Sequence, residues 1–134
     1  MVANYYGFVC RLISETTTGA IMLDLSFIIG KQFSSVTFVM DYYQFSFDGV
    51  WFNVMTDPIV ETNEQKFFVF SPGFRDALVD LIPKIVTNAR VEEKELVIEL
   101  DHSCIIRIPS VREGNGGEAV IITGEDERNW WVLS

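Results

Sequence analysis

The chain contains a single histidine, His102, and only two cysteines, Cys10 and Cys104. Zinc sites are built from several histidine, cysteine and carboxylate ligands at short spacings, and this chain offers no such spacing. Two cysteines are also too few for the disulfide framework of a small secreted protein. The sequence therefore predicts no metal site, and two reduced thiols are typical of a protein located in the cytoplasm.

Basic residues are also scarce, because ten Lys and Arg face nineteen Asp and Glu, giving a net charge of −9. Nucleic-acid binding requires clustered basic side chains, and an anionic membrane surface attracts the same residues. No apolar run approaches the ~18 residues that a membrane-spanning helix needs, and the first residues lack the basic start and cleavage site of a signal peptide. We expect neither a nucleic acid nor a membrane as partner. An acidic surface serves solubility, or it attracts a basic protein.

The common catalytic motifs are missing as well. The chain has no Gly-x-Ser-x-Gly elbow, no phosphate-binding glycine loop and no His-Glu-x-x-His pair. His102 lies beside Asp101 in a predicted turn, where a histidine is usually a solvated polar residue rather than a general base. The sequence predicts no catalytic residue and no cofactor. A small-ligand or enzymatic pocket is the least favoured of three functional hypotheses.

Hydrophobic and aromatic residues are abundant, including eleven Phe, four Tyr and three Trp. The segment QFSFDGVWFNV, residues 44–54, places Asp48-Gly49 between two alternating runs, which predicts a two-residue hairpin turn. The predicted cross-strand pairs are Phe47 with Val50, Phe45 with Phe52, and Tyr43 with Val54. These six side chains share one face, and therefore the hairpin belongs to a sheet that is covered on one side.

The hairpin pattern occurs twice, at an offset of 53 residues. Lys31 aligns with Lys84 and Asp48 with Asp101, and the apolar residues of the strands between them also align. Upstream, both copies show the i, i+3, i+4 spacing of a helix: Leu25, Ile28 and Ile29, then Leu78, Leu81 and Ile82. The sequence therefore predicts an internal duplication of a unit that contains a helix and three strands, at about 19–55 and 72–108.

The predicted fold is a single α+β domain over 1–134, with β-rich antiparallel sheets formed by the two pseudo-symmetric units and a C-terminal hairpin over 118–134. In the second unit Ser71 is the predicted N-cap, Pro72 begins the helix, and the second hairpin turns through the longer Asp101–Ser103 segment. The predicted helices cover 19–29 and 72–82; the predicted strands cover 32–39, 42–47, 50–55, 66–70, 85–91, 95–100 and 104–108.

Two acidic segments lie at predicted strand turns: EEKE at 92–95 and GEDER at 124–128. Solvated turns explain such segments adequately, and the sharper hypothesis is a patch that docks on a basic protein. Trp is enriched at binding hot spots, and consecutive strand residues point to opposite faces, so one of the two adjacent Trp lies outside the core unless a helix covers it. The predicted partner-binding residues are Trp131, Trp130, Glu125, Asp126 and Glu127, followed by Glu92 and Glu93.

The segment LVIELDHSCIIRIPSVREGNGGEAVIITGEDERNWWVLS resembles small, mostly uncharacterised bacterial proteins with duplicated β-hairpin units. The resemblance rests on Leu96-x-Ile98-x-Leu100-Asp101 and on Glu118-Ala119. Some proteins of this kind look like immunity proteins of polymorphic toxin systems, which inactivate a toxin by binding it. Together with the net negative charge and the acidic turns, the resemblance favours an immunity protein whose partner is a basic toxin, such as a nuclease. The alternative is a structural domain that self-associates through free strand edges, so that a monomer and a homodimer both remain open.

Overall fold

The computed structural model describes residues 2–5, 8–11, 24–63, 65–112, 117–124 and 130–133. Short strands dominate these ranges, together with one α-helix, α1 (Phe74–Val79), and 3₁₀ turns at Leu25–Ile28 and Asp101–Ser103. The strands are β1 (Val2–Tyr5), β2 (Phe8–Arg11), β3 (Phe33–Val39), β4 (Tyr42–Phe47), β5 (Val50–Val54), β6 (Ile59–Thr62), β7 (Gln65–Phe67), β8 (Val86–Glu92), β9 (Glu95–Leu100), β10 (Cys104–Pro109), β11 (Val120–Thr123) and β12 (Trp130–Leu133).

The strands form two five-stranded antiparallel sheets, and β1 pairs separately with β2. We call β12-β11-β5-β4-β3 the first sheet and β7-β6-β10-β9-β8 the second sheet. The expected β-rich antiparallel architecture is confirmed, whereas the helical content within the described ranges is small. No helix in these ranges has the length and hydropathy to span a bilayer.

Each sheet joins a three-strand meander to a hairpin from elsewhere in the chain. The hairpin β6-β7 follows β5 in sequence but pairs with β10, in the second sheet. The hairpin β11-β12 follows β10 but pairs with β5, in the first sheet. Each meander therefore acquires its last two strands from the hairpin that follows the other meander.

The first predicted hairpin has the register expected from its sequence. Asp48 and Gly49 have φ of 47° and 93°, the left-handed values that a tight two-residue turn requires. Phe47 lies opposite Val50, and Phe45 lies opposite Phe52. All four of these side chains are at most 2% exposed, so this face of the hairpin contributes to the core.

The second hairpin turns through three residues, as its hydrophobic pattern predicted. His102 and Ser103 have φ of 64° and 62°, which closes the turn and places Leu100 opposite Cys104. Ile98 then lies opposite Ile106, and both are fully buried. The turn His102 itself is exposed, consistent with a solvated residue.

The two meanders touch where β3 and β8 begin. Gln32 and Ile85 form an antiparallel bridge, flanked by hydrogen bonds from the Phe33 amide to the Lys84 carbonyl (2.8 Å) and from the Val86 amide to the Lys31 carbonyl (2.9 Å). Hairpin-turn carboxylates bind the bridging pair itself. Asp48 accepts the Gln32 N–H at 2.8 Å, and Asp101 accepts the Ile85 N–H at 3.0 Å.

A single hydrophobic cluster unites both sheets, α1 and the first 3₁₀ turn. Its largest fully buried side chains are Phe33, Phe45, Phe47, Phe52, Leu25, Ile28, Leu78, Leu81, Leu96, Ile98, Ile106 and Ile108. Both helix-forming apolar patterns found in the sequence contribute to this cluster, although neither forms a long helix.

Three local predictions differ from the structure. The described part of the predicted helix at 19–29 is only the 3₁₀ turn Leu25–Ile28, and α1 covers only part of 72–82. The Ser71 N-cap is wrong, because the Ser71 hydroxyl accepts the Phe68 N–H and Gly73 occupies the cap position. The predicted strand at 66–70 is also misplaced, since β7 ends at Phe67 and the next residues turn.

Candidate functional site

Most of the predicted partner-binding residues lie where the structure gives little or no side-chain description. Glu125, Asp126 and Glu127 are outside the described residues. The backbones of Trp130 and Trp131 belong to β12, opposite Thr123 and Ile122. The side chains of both Trp also fall outside the described part of the chain. Their assignment to an interface stays a prediction.

Glu92 and Glu93 lie at the exposed turn between β8 and β9. The Arg90 guanidinium donates to Glu92 at 2.7 Å and also contacts Glu99, so the Glu92 charge is partly neutralised within the protein. Glu93 is exposed and forms no ion pair with any residue of the described ranges. At this turn, Glu93 is therefore the better candidate for an electrostatic contact with a partner.

Among the described residues, the two most exposed large apolar side chains lie at or beside a different surface. A cleft of about 410 Å³ opens between the β3-β4 turn, the end of β5 and the start of α1. We call it the aromatic cleft. It is lined by Phe38, Val39, Met40, Asp41, Tyr42, Tyr43, Met55, Thr56, Asp57, Val69, Phe74 and Arg75.

Large hydrophobic side chains beside this cleft project into solvent. Met40, at the tip of the β3-β4 turn, is 93% exposed, and Phe70 is 85% exposed. Phe68 and Phe70 flank the cleft residue Val69 in the sequence, and their rings stack on each other at a centroid distance of 6.2 Å. Phe38 is 41% exposed. We call Phe38, Met40, Phe68 and Phe70 the apolar rim.

The exposure of Phe70 follows from the turn after β7. The Ser71 amide donates to the Phe68 carbonyl at 2.8 Å, while the Ser71 hydroxyl accepts the Phe68 N–H at 3.0 Å. These two bonds close a tight turn whose intervening residues cannot continue the sheet. Gly73 follows with φ of 87°, and a Cβ there would approach the Phe67 ring to 3.3 Å, so glycine suits this position.

Charged and aromatic groups meet inside the cleft. Burial, and then the carboxylate of Asp57, raise the pKa of the Tyr43 phenol, while Arg75 acts in the opposite direction. The Arg75 guanidinium lies 5.7 Å from the centroid of the Phe38 ring, a cation–π geometry. Tyr43 also packs edge-on against Phe74 at 6.1 Å. Since Phe38, Tyr43 and Phe74 are mutually supported, this wall of the cleft is pre-organised for contact.

Two carboxylates of the cleft face solvent. Asp41 and Asp57 are exposed, and no ion pair within the described ranges includes either of them. Aromatic rings, methionines and exposed carboxylates together are suited to binding a basic side chain that carries an apolar stem.

The described residues contain no cluster of three or more His, Cys, Asp or Glu able to hold a metal ion. Cys104 is a free, buried thiol. The comparisons add no relatives, since no protein-family model, no curated protein and no solved structure matches this chain.

Sequence reasoning missed the apolar rim because KFFVF, at 66–70, has the composition of a buried strand. The signal that identifies the turn is the adjacent Ser71-Pro72-Gly73, which groups three residue types that favour turns. Met40-Asp41 lies between the strands predicted at 32–39 and 42–47, and its sequence gives no sign that Met40 is exposed. The acidic segments are visible in the sequence because of their charge, whereas the exposed apolar groups could be located only from the structure.

Proposed function

We propose that this protein is a small acidic binding module that inactivates a basic protein partner by direct contact, as an immunity protein does with its toxin. The observation that carries the proposal is the apolar rim beside the aromatic cleft, with Met40 and Phe70 almost fully solvated. Large exposed apolar side chains that cluster on one surface are typical of protein interaction sites.

The composition of the cleft supports a protein as the ligand. Aromatic residues and methionine are enriched at the centres of protein interfaces, where they fill pockets on the partner. Phe68 and Phe70 support each other by stacking, so little side-chain entropy remains to be lost when a partner covers them. The rim therefore offers affinity that the predicted acidic turns alone would not supply.

The charge supports a basic partner. The net charge of −9 creates a negative potential that accelerates the approach of a basic protein. Asp41, Asp57 and Glu93 supply exposed carboxylates for contact, and Glu125, Asp126 and Glu127 remain the predicted additional patch. We place this activity in the cytoplasm, where the buried Cys104 thiol stays reduced.

The proposal is tested with a captured partner. The protein is immobilised, the partner is isolated from the native host and purified, and its dissociation constant is measured at two salt concentrations. We expect Phe70→Ser to weaken binding about 30-fold, as loss of a hot-spot residue does. We expect charge reversal at 125–127 or at Glu93 to slow association and reduce the salt dependence. Ile29→Ser, at a 43% exposed residue before β3, at the opposite end of that strand from Phe38 and Met40, is the matched control.

The immunity role makes a further demand on the captured protein. Its own activity, such as nuclease activity, must disappear when the module is added at equimolar concentration and must return with the Phe70→Ser variant at the same concentration. A partner that binds but keeps its activity would contradict the immunity role. Equal affinities for the wild type, Phe70→Ser and Ile29→Ser would contradict the placement of the interface at the apolar rim.

We further propose that the binding module consists of two equivalent units, at about 19–55 and 72–108. At the 53-residue offset, Phe33 corresponds to Val86, and each donates its amide to the other unit's lysine carbonyl. Asp48 corresponds to Asp101, and each binds a member of the Gln32–Ile85 bridge. The register shifts of β3 and β8 also correspond, as do the exchanged hairpins. An experimental structure in which 25–55 and 78–108 do not superpose would contradict this.

A further inference from the structure

The free backbone edge of β3 is not used by the proposed function, although the Phe38 side chain near the end of this strand belongs to the apolar rim. β3 is the terminal strand of the first sheet, where it pairs only with β4. Val39 and Tyr42 flank the two-residue turn Met40-Asp41, so they form the hydrogen-bonded pair next to the turn. Hydrogen-bonded and non-hydrogen-bonded pairs alternate along antiparallel strands, so the backbone groups of Thr37 also bond to β4. The backbone groups of Val36 and Phe38 therefore point away from the sheet. Among the described residues, no backbone group binds them.

Within the described residues, this edge lacks the features that normally protect an edge strand. Residues 32–40 contain no charged side chain and no proline, and Ser34, Thr37, Phe38 and Val39 are exposed. Natural proteins protect such strands with charges, prolines, short length or coverage by another segment. A seven-residue uncharged edge is therefore open to pairing with another strand.

The other three edge strands are protected. β8 carries Arg90 and Glu92, and the segment after the first 3₁₀ turn donates the Gly30 N–H to the Val86 carbonyl. β7 has only three residues and includes Lys66. β12, the other edge of the first sheet, lies against β2. Among the four edge strands of the two five-stranded sheets, as far as the structure describes them, β3 alone combines length, exposure and absence of charge.

We infer that β3 pairs with β3 of a second copy of this chain, in an antiparallel arrangement about a twofold axis at Thr37. The absence of charge on this edge is compatible with a second copy. Residues 32–40 carry no charged side chain, so two copies that each carry −9 repel each other least where these edges face each other. Twofold pairing is self-complementary: Val36 of one copy lies opposite Phe38 of the other, and the two pairs satisfy the outward backbone groups.

The geometry at the axis gives a specific test. Thr37 lies opposite its own copy in a non-hydrogen-bonded pair, where facing side chains are about 5 Å apart. We expect the wild type to sediment as a dimer at micromolar concentration, and Thr37→Val to do the same. Thr37→Lys and Thr37→Asp each place like charges across the axis, and each should weaken the dimer at least about tenfold. Mixing these two variants should restore a dimer, because opposite charges then face each other.

Salt separates this inference from binding to a basic partner. Added salt screens the repulsion between acidic copies and should strengthen the dimer, whereas it should weaken a complex with a basic protein. Amide exchange provides a readout that needs no variant: exchange at Val36 and Phe38 should slow as the wild-type concentration increases. A wild type that stays monomeric, exchange that is independent of concentration, or a dimer that withstands Thr37→Lys would each overturn the inference. None of these results bears on the apolar-rim variants.

Discussion

Replacement of Phe33 by alanine should destabilise the protein far more than replacement of the exposed Phe70 by alanine. Phe33 is fully buried at the start of β3, with ring centroids 5.7 Å from Phe45 and 5.2 Å from Phe47. Truncating a buried Phe to Ala costs about 3–5 kcal/mol of unfolding free energy, because apolar burial is lost and a cavity remains. Domains of this size are stable by about 5–15 kcal/mol, so Phe33→Ala removes a large part of that stability.

Urea unfolding, followed by circular dichroism, measures the effect. The wild type and Phe33→Ala should show similar slopes with well-separated midpoints. Phe33→Leu, which keeps most of the apolar volume, should cost about half as much. Phe70→Ala removes the same atoms from a residue that is 85% exposed, and it should change the unfolding free energy by less than about 0.5 kcal/mol.

Two results would refute this reasoning. If Phe33→Ala cost less than about 1 kcal/mol, Phe33 would not lie in a close-packed core between β3 and β4. If Phe70→Ala cost as much as Phe33→Ala, Phe70 would be buried in solution and the apolar rim would not exist as a binding surface. The comparison therefore tests the core and the candidate site at once.

Two further predictions concern single polar groups. Asp101→Ala removes a partly buried hydrogen bond from the Ile85 amide, and it should lower the unfolding free energy measured in urea by about 1–2 kcal/mol. Asp80→Ala, at an exposed position, should leave the unfolding free energy nearly unchanged. Equal effects of the two substitutions would contradict a role for Asp101 at the bridge. The raised pKa of Tyr43 means that the folded state retains this proton longer than the unfolded state, so stability should fall as the pH rises above about 10, the ordinary tyrosine value. Tyr43→Phe should flatten that fall; identical pH profiles for this variant and the wild type would contradict the raised pKa of Tyr43.

The sequence allowed prediction of the meanders because their signals are local. Asp48-Gly49 specifies its own turn, and the alternation around it determines which residues face the core. The second turn could be chosen correctly because only a three-residue turn keeps Leu96 on the same face as Ile108. Six of the seven predicted strands therefore begin and end within about one residue of the observed strands.

The remaining features depend on contacts between distant segments. The sequence does not predict β6, because Ile59–Thr62 is short and includes the charged Glu61. Its partner strand β10 lies far along the chain, so no local hairpin pattern indicates the pairing. Glu61 accepts a hydrogen bond from Arg107 at 2.6 Å, which stabilises that charge on β6. The helices were predicted too long because their apolar spacing also suits short turns that dock on a core. The apolar rim required knowledge of where β7 ends.

The exchange of hairpins between the sheets has a consequence for how the chain acquires its structure. The edge of β5 that does not pair with β4 pairs with β11, which lies much later in the sequence. During synthesis, the first meander is therefore complete long before the strand that pairs with β5 emerges. Until then the flank of β5, including Phe52 and Val54, remains open to solvent and to other nascent chains. Since contacts between segments far apart in sequence form slowly, we expect gradual folding. A chain shortened before Val120 would contain all the strands of the second sheet but would leave the first sheet without β11 and β12.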